Sequence, residues 1–245
     1  MKPLFEIIDV SEHNTRRAKI DWEKVKASGV KGVMVRIGWA GYDGRIAANN
    51  GLDDAFEQNI IGAYNAGLDV GLYVYSYTRD PAAARIAAEE CVEIAKQFPQ
   101  MITLPIAFDV EETNLNCLTI QGKDGLANSI NAFCFAVEQL GYYPIVYTYT
   151  SFAVQHINMA MIKNRNFWVA DYRGNEELMR KQLGREFGIW QYIGDDDKKT
   201  GKIGGRCDGV TGACDRNYVY VDYPVHIAKQ FKNGLWYNPL TGAEQ

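Results

Sequence analysis

Two acidic residues separated by one position, Asp109 and Glu111, are the part of the sequence whose types and spacing could do chemistry. They follow a nearly charge-free run, 102–108, that predicts a strand. Residues at positions i and i+2 of a strand share a face, so both carboxyl groups point to one side while Val110 turns into the wall. In a partly dry cleft, adjacent carboxylates cannot all ionise at neutral pH, and the one that keeps its proton can act as a general acid. A lone Asp-x-Glu is more often an ordinary strand end, so the pair needs support from elsewhere.

Polar residues at the ends of other apolar runs supply that support. Asp9 ends the first run, Asp171 ends the sixth and Gln191 ends the seventh. In a barrel of parallel strands, functional groups collect at the carboxyl ends of the strands. The sequence therefore predicts a cleft lined by acidic residues at one mouth of a barrel.

Aromatic residues supply a second signal for the same cleft. Tyr and Trp present a flat apolar face with a polar tip, which suits the C–H faces and hydroxyl groups of sugar rings, although the same residues are common in cores. The sequence has no Gly-rich loop with a Lys that would cradle a phosphate, so the pattern favours a neutral sugar ligand. The aromatic residues in or at the ends of the predicted strands are Trp39, Tyr73, Tyr75, Tyr77, Tyr147, Tyr149, Trp168, Tyr172, Trp190 and Tyr192.

An alternation of strands and helices must position these residues. Short apolar or β-branched runs bounded by turn residues predict eight strands, at 4–10, 32–39, 70–77, 104–110, 143–149, 167–172, 187–192 and 214–221. Segments with helical period separate the early runs, at 22–28, 53–66, 82–98 and 126–140. Three of these helices stop at a glycine, Gly29, Gly67 or Gly141, as left-handed helix caps do. The alternation predicts an α/β fold whose parallel strands close into a barrel.

The last third of the barrel is expected to be irregular. The connections after Tyr172 and after Tyr192 are short or rich in Gly, Asp and Lys, and they show no clear amphipathic helix. We therefore expect a TIM-like β/α barrel of eight strands with helices missing or short around the last three. No repeat, low-complexity tract or Pro-rich linker divides the chain. The expected division is a catalytic barrel over 1–223 and a tail over 224–245, which packs on the barrel through 231–237 or is the remnant of a linker.

Composition and charge limit the possible partners. The chain has 245 residues, of which 47% are hydrophobic, so it can bury a large core and is not a disordered protein. The formal net charge of −4 and the lack of a basic run argue against nucleic acid or an anionic membrane as a partner. Glu6 interrupts the start of the chain before the apolar segment of a signal peptide could form. We therefore expect a protein that is made in the cytoplasm, or one from which a signal has been removed. The sequence does not predict its oligomeric state.

Cysteine and histidine usage predicts neither a disulfide scaffold nor a metal site. Five cysteines are too few for a disulfide framework in a chain of this length. Cys91 and Cys134 lie in apolar helical patterns and are expected in the core, whereas Cys207 and Cys214 could close a small loop or remain two reduced surface thiols. The three histidines share no ligand-type spacing with another His or Cys. No metal and no cofactor are predicted.

Short motifs follow one another along nearly the whole chain, from about Phe5 to Tyr220. They are Asp9-Val-Ser-Glu-His-Asn14, Ile20-Asp-Trp22, Val33-Met-Val-Arg36, Gly71-Leu-Tyr-Val-Tyr75, Asp109-Val-Glu111, Ile145-Val-Tyr-Thr148, Trp168-Val-Ala-Asp-Tyr172, Trp190-Gln-Tyr192 and Asp215-Arg-Asn217. In this order they resemble the glycoside hydrolase family 25 lysozymes, the muramidases of bacteria and their phages. So many ordered motifs are far more specific than the acid pair alone.

The resemblance implies hydrolysis of the β-1,4 bond between N-acetylmuramic acid and N-acetylglucosamine in peptidoglycan. It implies that Glu111 is the general acid, that Asp109 is its partner, and that Asp9 and Asp215 are further acids of the cleft. Bacterial peptidoglycan is the expected partner, met in the cell wall after lysis or release. The residues expected to bind substrate are Arg36, Trp39, Tyr73, Tyr75, Tyr147, Trp168, Asp171, Tyr172 and Gln191.

The position of Asp215 predicts the direction of the last strand. Asp215 begins its run instead of ending it, so in an all-parallel barrel it would lie at the wrong mouth. We therefore expect the last strand to run antiparallel to the seventh, joined to it by the Gly-rich stretch 194–212. We further expect Glu111 to hold the proton, with its pKa raised by nearby acids and partial burial, while Asp109, Asp9 and Asp215 stay mainly ionised.

The placement of the acid pair also bears on the reaction route. Asp109 and Glu111 project from one strand and approach the sugar from the same side, so a nucleophile or base on the opposite face does not follow. A route assisted by the substrate is expected, in which the acetamido oxygen of muramic acid attacks the anomeric carbon and the configuration is retained. Two other classes stay open, namely a carbohydrate-binding barrel that no longer cleaves and a metal-dependent barrel hydrolase, which would need clustered histidines.

Overall fold

The computed structural model describes residues 2–111, 116–162, 164–197, 199–229, 231–232, 235–236 and 240. Eight strands close into a barrel in which neighbours along the chain are neighbours in the sheet. They are β1 (Phe5–Val10), β2 (Gly32–Ala40), β3 (Asp69–Ser76), β4 (Ile102–Asp109), β5 (Pro144–Tyr149), β6 (Phe167–Ala170), β7 (Ile189–Ile193) and β8 (Asp215–Val219). The predicted eight-stranded α/β barrel is confirmed.

One strand of the barrel runs against the others. Strands β1 to β7 pair in parallel, whereas β8 pairs antiparallel with β7 and with β1. Parallel neighbours need a long crossover, usually a helix, but antiparallel neighbours do not, and the described residues between Ile193 and Asp215 contain no helix. The expected reversal of the last strand is confirmed, and it brings Asp215 directly opposite Asp9.

Helices cover the outside of the barrel mainly around its first five strands. Gly29, Gly67 and Gly141 follow three of the helices with φ angles of 95°, 74° and 87°. Glycine adopts such angles without steric cost, so the predicted left-handed caps are confirmed. The helices are α1 (Glu12–Thr15), α2 (Trp22–Ala27), α3 (Phe56–Asn65), α4 (Pro81–Ala95), α5 (Gly122–Gln139), α6 (Thr150–His156), α7 (Glu176–Leu183) and α8 (Tyr223–Lys229).

Helix α7 corrects one expectation, because it lies between β6 and β7 where the sequence showed no clear amphipathic pattern. The Asn175 side chain accepts a hydrogen bond of 2.9 Å from the backbone N–H of Leu178, and Gly184 ends the helix with a φ of 66°. Met179 and Leu183, one turn apart, are the two buried residues of the helix. The two caps and the two buried side chains therefore specify this helix. Its apolar stripe is too short to recognise in the sequence.

The core has two layers, one inside the barrel and one between the strands and the helices. Along β4 the layers alternate: Ala107 packs in the interior cluster, whereas Phe108 and Val110 pack in the outer one. Every second side chain along a strand points the same way, so the side chains of Asp109 and Glu111 point inward like that of Ala107. The strand end thus aims both carboxyl groups at the barrel mouth, as the sequence predicts.

Helix α8 and Leu240 lie against the opposite end of the barrel. Tyr223, the first residue of α8, belongs to the interior cluster, and Ile227 and Leu240 pack against it. Strand β9 (Phe231–Lys232) pairs antiparallel with β10 (Leu235–Trp236). Positions 233, 234 and 237 of the expected packing segment lie outside the described residues. None of the helices described combines the length and the apolar character that a bilayer crossing requires.

Candidate active site

A cleft of about 550 Å³ opens at the barrel mouth where the acids lie. This mouth is formed by the carboxyl ends of the parallel strands, which is where barrels of this type carry their functional groups. The cleft combines carboxyl groups with aromatic side chains. Of the residues expected from the sequence, those that line it are Asp9, Arg36, Tyr73, Tyr75, Asp109, Glu111, Tyr147, Tyr149, Trp168, Tyr172, Gln191 and Asp215.

Three strands bring the four carboxyl groups together. Asp109 is the last residue of β4 and Glu111 follows two positions later, while Asp9 lies one residue before the end of β1. Asp215 is the first residue of β8 and pairs with Asp9 in the antiparallel register. Asp9 and Asp109 are only 7% and 4% exposed, whereas Glu111 is half-buried. The most accessible member of the acid pair is thus the glutamate.

Two amide side chains hold the Asp9 carboxylate. Gln191 Nε2 donates to Asp9 Oδ2 at 3.0 Å, and Asn217 Nδ2 donates to the same oxygen at 2.9 Å. A carboxylate that accepts two hydrogen bonds is favoured in its ionised form. These two donors therefore lower the pKa of Asp9, whereas burial raises it.

A further group of aromatic side chains fixes the orientation of both amides. Trp168 Nε1 donates to Asn217 Oδ1 at 2.7 Å. The hydroxyl groups of Tyr147 and Tyr172 donate to Gln191 Oε1 at 3.0 Å and 2.6 Å. Because each amide oxygen is occupied by a donor, each amide NH₂ group is turned toward Asp9.

The environment raises the pKa values of Asp9 and Asp215 by different amounts. Burial raises the pKa of Asp215 to about 9, helped by the negative charges of Asp9 and Asp195. Burial also raises the pKa of Asp9, but only to about 6, because Asn217 and Gln191 stabilise its charge. At neutral pH a proton is therefore favoured on Asp215 more than on Asp9. This direction runs against the expectation that Asp215 stays mainly ionised, because burial beside a second carboxylate disfavours its charge.

Asp109 also departs from expectation. Burial raises its pKa well above the usual range, and the charges of Glu111 and Asp9 raise it further, whereas Arg36 lowers it. These effects favour the protonated form of Asp109 relative to an ordinary aspartate, whereas the sequence-based expectation is that Asp109 stays mainly ionised. Carboxyl groups can be counted in a sequence, but the loss of water around this one depends on how deeply the end of β4 lies in the barrel.

Arg36 brings a fixed positive charge into this acidic cleft. Its Nε donates to Asp53 Oδ2 at 2.7 Å, and its Nη2 lies 3.3 Å from Glu12 Oε1. The Asp53 side chain is fully buried and the Arg36 side chain is only 15% exposed. Two carboxylates therefore hold the guanidinium in place, and its charge partly offsets that of the acids around Asp109.

Two residues expected to bind substrate lie away from the cleft lining. Trp39 packs edge-on against Tyr77, with ring centroids 5.9 Å apart, and neither ring lines the cleft. Asp171 is held by Arg173 in a bidentate ion pair and lines a neighbouring cavity. Strand alternation and strand position suggested both residues, but the side-chain partners that turn them aside are not visible in those patterns.

The structure also adds functional residues that the sequence-based list missed. Asn217 holds Asp9, and its position two residues after Asp215 on one strand face was the available signal. The long connection between β7 and β8 supplies a wall of the cleft through Gly194, Asp195, Asp197, Lys202, Ile203 and Gly204. No periodic pattern marks this connection, so the sequence did not indicate its place in the wall of the cleft.

The two cysteines in this connection are free thiols, as one of the two expected alternatives has it, but they are not on the surface. Cys207 is 6% exposed and Cys214 is fully buried. The Sγ of Cys207 lies 3.7 Å from Ser28 Oγ, which follows α2. The connection thus folds against the outside of the barrel and covers both thiols.

Comparisons with known proteins agree with this geometry. The family model "Glycosyl hydrolases family 25" matches residues 8–200. An autolytic lysozyme of Clostridium acetobutylicum is 28% identical over 159 residues, which are 64% of this chain and 42% of that protein. The modular autolysin LytC of Streptococcus pneumoniae is 27% identical, with a TM-score of 0.69 over 88% of this chain and 46% of the other. The chain therefore spans less than half the length of these two relatives.

A bacterial lysozyme of Streptomyces coelicolor supports the fold. It has a TM-score of 0.66 at 22% identity, and the alignment covers 91% of this chain and 95% of that one. The family match includes Asp9, Asp109 and Glu111 and most of the barrel strands. By this match, the chain belongs to glycosyl hydrolase family 25.

Proposed function

We propose that the chain is a lysozyme that hydrolyses the β-1,4 bond between N-acetylmuramic acid and N-acetylglucosamine in bacterial peptidoglycan. The observation that carries this proposal is the gathering of Asp9, Asp109, Glu111 and Asp215 in one cleft walled by Tyr and Trp rings. Carboxyl groups supply the acid and base chemistry of glycoside hydrolysis, and aromatic faces bind sugar rings. The relatives named as lysozyme and autolysin support the same substrate. Residues 1–223 form the catalytic unit in this proposal, and 224–245 the tail.

Glu111 is the proton donor to the leaving oxygen. It is half-buried at the cleft mouth, where a glycosidic oxygen can reach it, whereas Asp109 and Asp9 lie deeper. A general acid must come within hydrogen-bond distance of the oxygen that it protonates. Position in the cleft thus favours Glu111 over Asp109 and Asp9.

Asp109 binds the acetamido group of the muramic acid. It lies beside Glu111 on the same face of the chain, and its Oδ1 is a buried atom without a hydrogen-bond partner among the described residues. A buried acceptor of this kind loses its hydrogen bonds to water unless a ligand replaces them. The acetamido N–H group is such a ligand, and a hydrogen bond from it to Asp109 holds its oxygen below the anomeric carbon.

The reaction then runs in two steps with retention of configuration. The acetamido oxygen attacks the anomeric carbon while Glu111 gives its proton to the leaving oxygen, which forms an oxazolinium ring. Water next attacks the anomeric carbon from the vacated side and gives a proton back to Glu111, which reopens the ring. The dyad of Asp9 and Asp215 lies beside this site and contributes negative charge while the sugar carries positive charge.

Digestion of purified cell walls tests the proposed function. Reducing the products with borohydride and identifying the reduced sugar by mass spectrometry shows which bond is cut. Muramitol at the new ends is the expected result, together with a fall in turbidity. Glucosaminitol ends would show a glucosaminidase, and intact walls would favour a carbohydrate-binding barrel that does not cleave.

A further inference from the structure

A second cavity of about 450 Å³ lies beside the active-site cleft, at the ends of β5 and β6. Tyr149 and Tyr172 line both spaces, so these two rings form a ridge between them. The ring centroids are 6.2 Å apart and the planes stand at 89° to each other. A ligand that lies in the cleft can therefore extend over this ridge into the second cavity.

Beyond the ridge, the cavity is lined by hydrogen-bonding groups. Its polar lining includes Gln155, Gln182, Ser151 and the guanidinium of Arg173. Side-chain amides and hydroxyls both donate and accept hydrogen bonds, which matches the alternating N–H and C=O groups of a peptide. The flat apolar faces that a sugar ring needs are confined to the ridge.

Arg173 is held so that part of its guanidinium stays free of its anchors. Its Nε and Nη2 donate to the two carboxylate oxygens of Asp171, with distances between 2.5 and 3.2 Å. Nη2 also donates to Gln182 Oε1 at 2.6 Å. Nη1 takes part in none of these bonds, and the Arg173 side chain is 49% exposed. The side chain is thus preorganised and still accessible to a ligand carboxylate.

Charge separates the two spaces. The described part of the cleft lining has six acidic residues, Asp9, Asp109, Glu111, Asp195, Asp197 and Asp215, and its Arg and Lys residues are Arg36 and Lys202. Among the residues that the structure describes, the Asp, Glu, Lys and Arg side chains of the second cavity are those of the ion pair Asp171 and Arg173. Acidic residues thus outnumber basic ones in the cleft lining, whereas they are balanced in the second cavity, where Arg173 is the cationic group.

We propose that this cavity binds the peptide carried by the lactyl group of muramic acid, with Arg173 and Gln182 as specificity-determining residues. The inference rests on the proposed function, because it takes the sugar in the cleft to be muramic acid. Arg173 Nη1 binds a carboxylate of the peptide, and Gln182 both steadies Arg173 and faces the peptide backbone. Glycan strands that carry peptides are then better substrates than the same strands without them.

Steady-state kinetics on two matched substrates test the proposal. One is soluble glycan with intact peptides, and the other is the same glycan after an amidase has removed them. We expect Arg173→Ala to lower kcat/KM for the peptide-bearing glycan about tenfold or more, since it removes a hydrogen bond between two charged groups. Gln182→Ala, which leaves the ion pair to Asp171 intact, should lower it less. Neither variant should change kcat/KM for the peptide-free glycan.

Two surface substitutions serve as controls. Arg85→Ala removes an arginine that pairs with Glu89 at 2.7 Å on α4, and Gln58→Ala removes an exposed glutamine of α3. Both should behave as wild type on both substrates. Equal losses on both glycans in the Arg173 and Gln182 variants would overturn the proposal and indicate a further sugar in the cavity. Unchanged kinetics on both glycans would overturn it as well.

A binding measurement separates this proposal from the proposed function. The Glu111→Gln protein is titrated calorimetrically with a soluble disaccharide that carries the peptide and with the disaccharide alone. Tighter binding of the first, lost in the additional Arg173→Ala variant, supports the peptide site even if wild type cleaves neither glycan. Equal affinity for both ligands would refute the peptide site even if the wild type is an active muramidase.

Discussion

Asp9 and Asp215 are direct partners across the antiparallel ladder of β1 and β8, and this pairing places two carboxyl groups side by side in the floor of the cleft. The doubly ionised form of two adjacent and largely desolvated carboxyl groups is disfavoured, which favours the retention of one proton. Asn217 and Gln191 donate to Asp9, which decides that the proton resides on Asp215. The reversed last strand thus has a functional consequence, because a parallel β8 would carry Asp215 to the other end of the barrel.

Retention of that proton predicts how stability depends on pH. The pKa of Asp215 is about 9 in the folded protein and near its ordinary 3.8 in the unfolded chain. Between these values the folded state holds a proton that the unfolded state has released, so the free energy of unfolding falls as pH rises. We expect Asp215→Asn to raise Tm at pH 8, by about 2–4 °C for each 1 kcal/mol, and to raise it much less at pH 4. Equal shifts at both pH values, measured by calorimetry, would refute the assignment of the proton.

The amide donors to Asp9 predict a shift in the pH profile of activity. Asn217→Leu removes one of the two donors, so we expect the pKa of Asp9 to rise above its value of about 6. A lost hydrogen bond to a charged group corresponds to about one pKa unit. The acidic limb of kcat/KM should therefore move upward by about one pH unit. Asn128→Leu, at an exposed position of α5, is the matched control and should leave the limb in place.

The ion pair of Arg36 and Asp53 predicts a large effect on stability. Arg36→Leu leaves the fully buried Asp53 carboxylate without its guanidinium partner. Breaking a buried pair in this way typically costs about 3–5 kcal/mol. Urea unfolding should show such a loss for Arg36→Leu and a smaller loss for Arg36→Leu combined with Asp53→Leu. Arg85→Leu, which breaks an exposed pair, should cost less than about 1 kcal/mol.

The assisted route predicts the anomer that forms first. Proton NMR during digestion should show the β anomer of the new reducing end before it equilibrates with the α anomer. Peptidoglycan whose muramic acid lacks the N-acetyl group should resist cleavage, because the attacking oxygen is missing. An initial α anomer would indicate inversion, and fast cleavage of the deacetylated wall would exclude the acetamido group as nucleophile.

The barrel and its acidic mouth could be predicted from the sequence because each depends on a local pattern. Alternation along β4 places Asp109 and Glu111 on one face wherever the strand lies, and glycine after a helix marks where the chain turns back. The reversal of β8 followed from one residue, Asp215, at the start of its run instead of the end. Such inferences need no knowledge of which side chains touch.

The protonation states of the acids and the exact set of side chains that line the cleft could not be predicted in this way. The proton on Asp215 depends on its burial and on the amide donors that reach its partner Asp9, which come from β7 and β8. Trp39 was expected in the cleft from its strand position, but its ring packs against Tyr77 outside the cleft. Both outcomes arise from contacts between residues far apart in the chain, and periodicity does not encode them.

Replacement of Glu111 by glutamine tests the central claim most directly. Glu111→Gln keeps the shape of the side chain but removes the transferable proton. The rate at which muramitol-ended fragments appear after borohydride reduction should fall about 10²–10⁴-fold, while circular dichroism and Tm stay close to wild type. A folded Glu111→Gln protein that releases these fragments at nearly the wild-type rate would contradict the assignment of Glu111 as the proton donor.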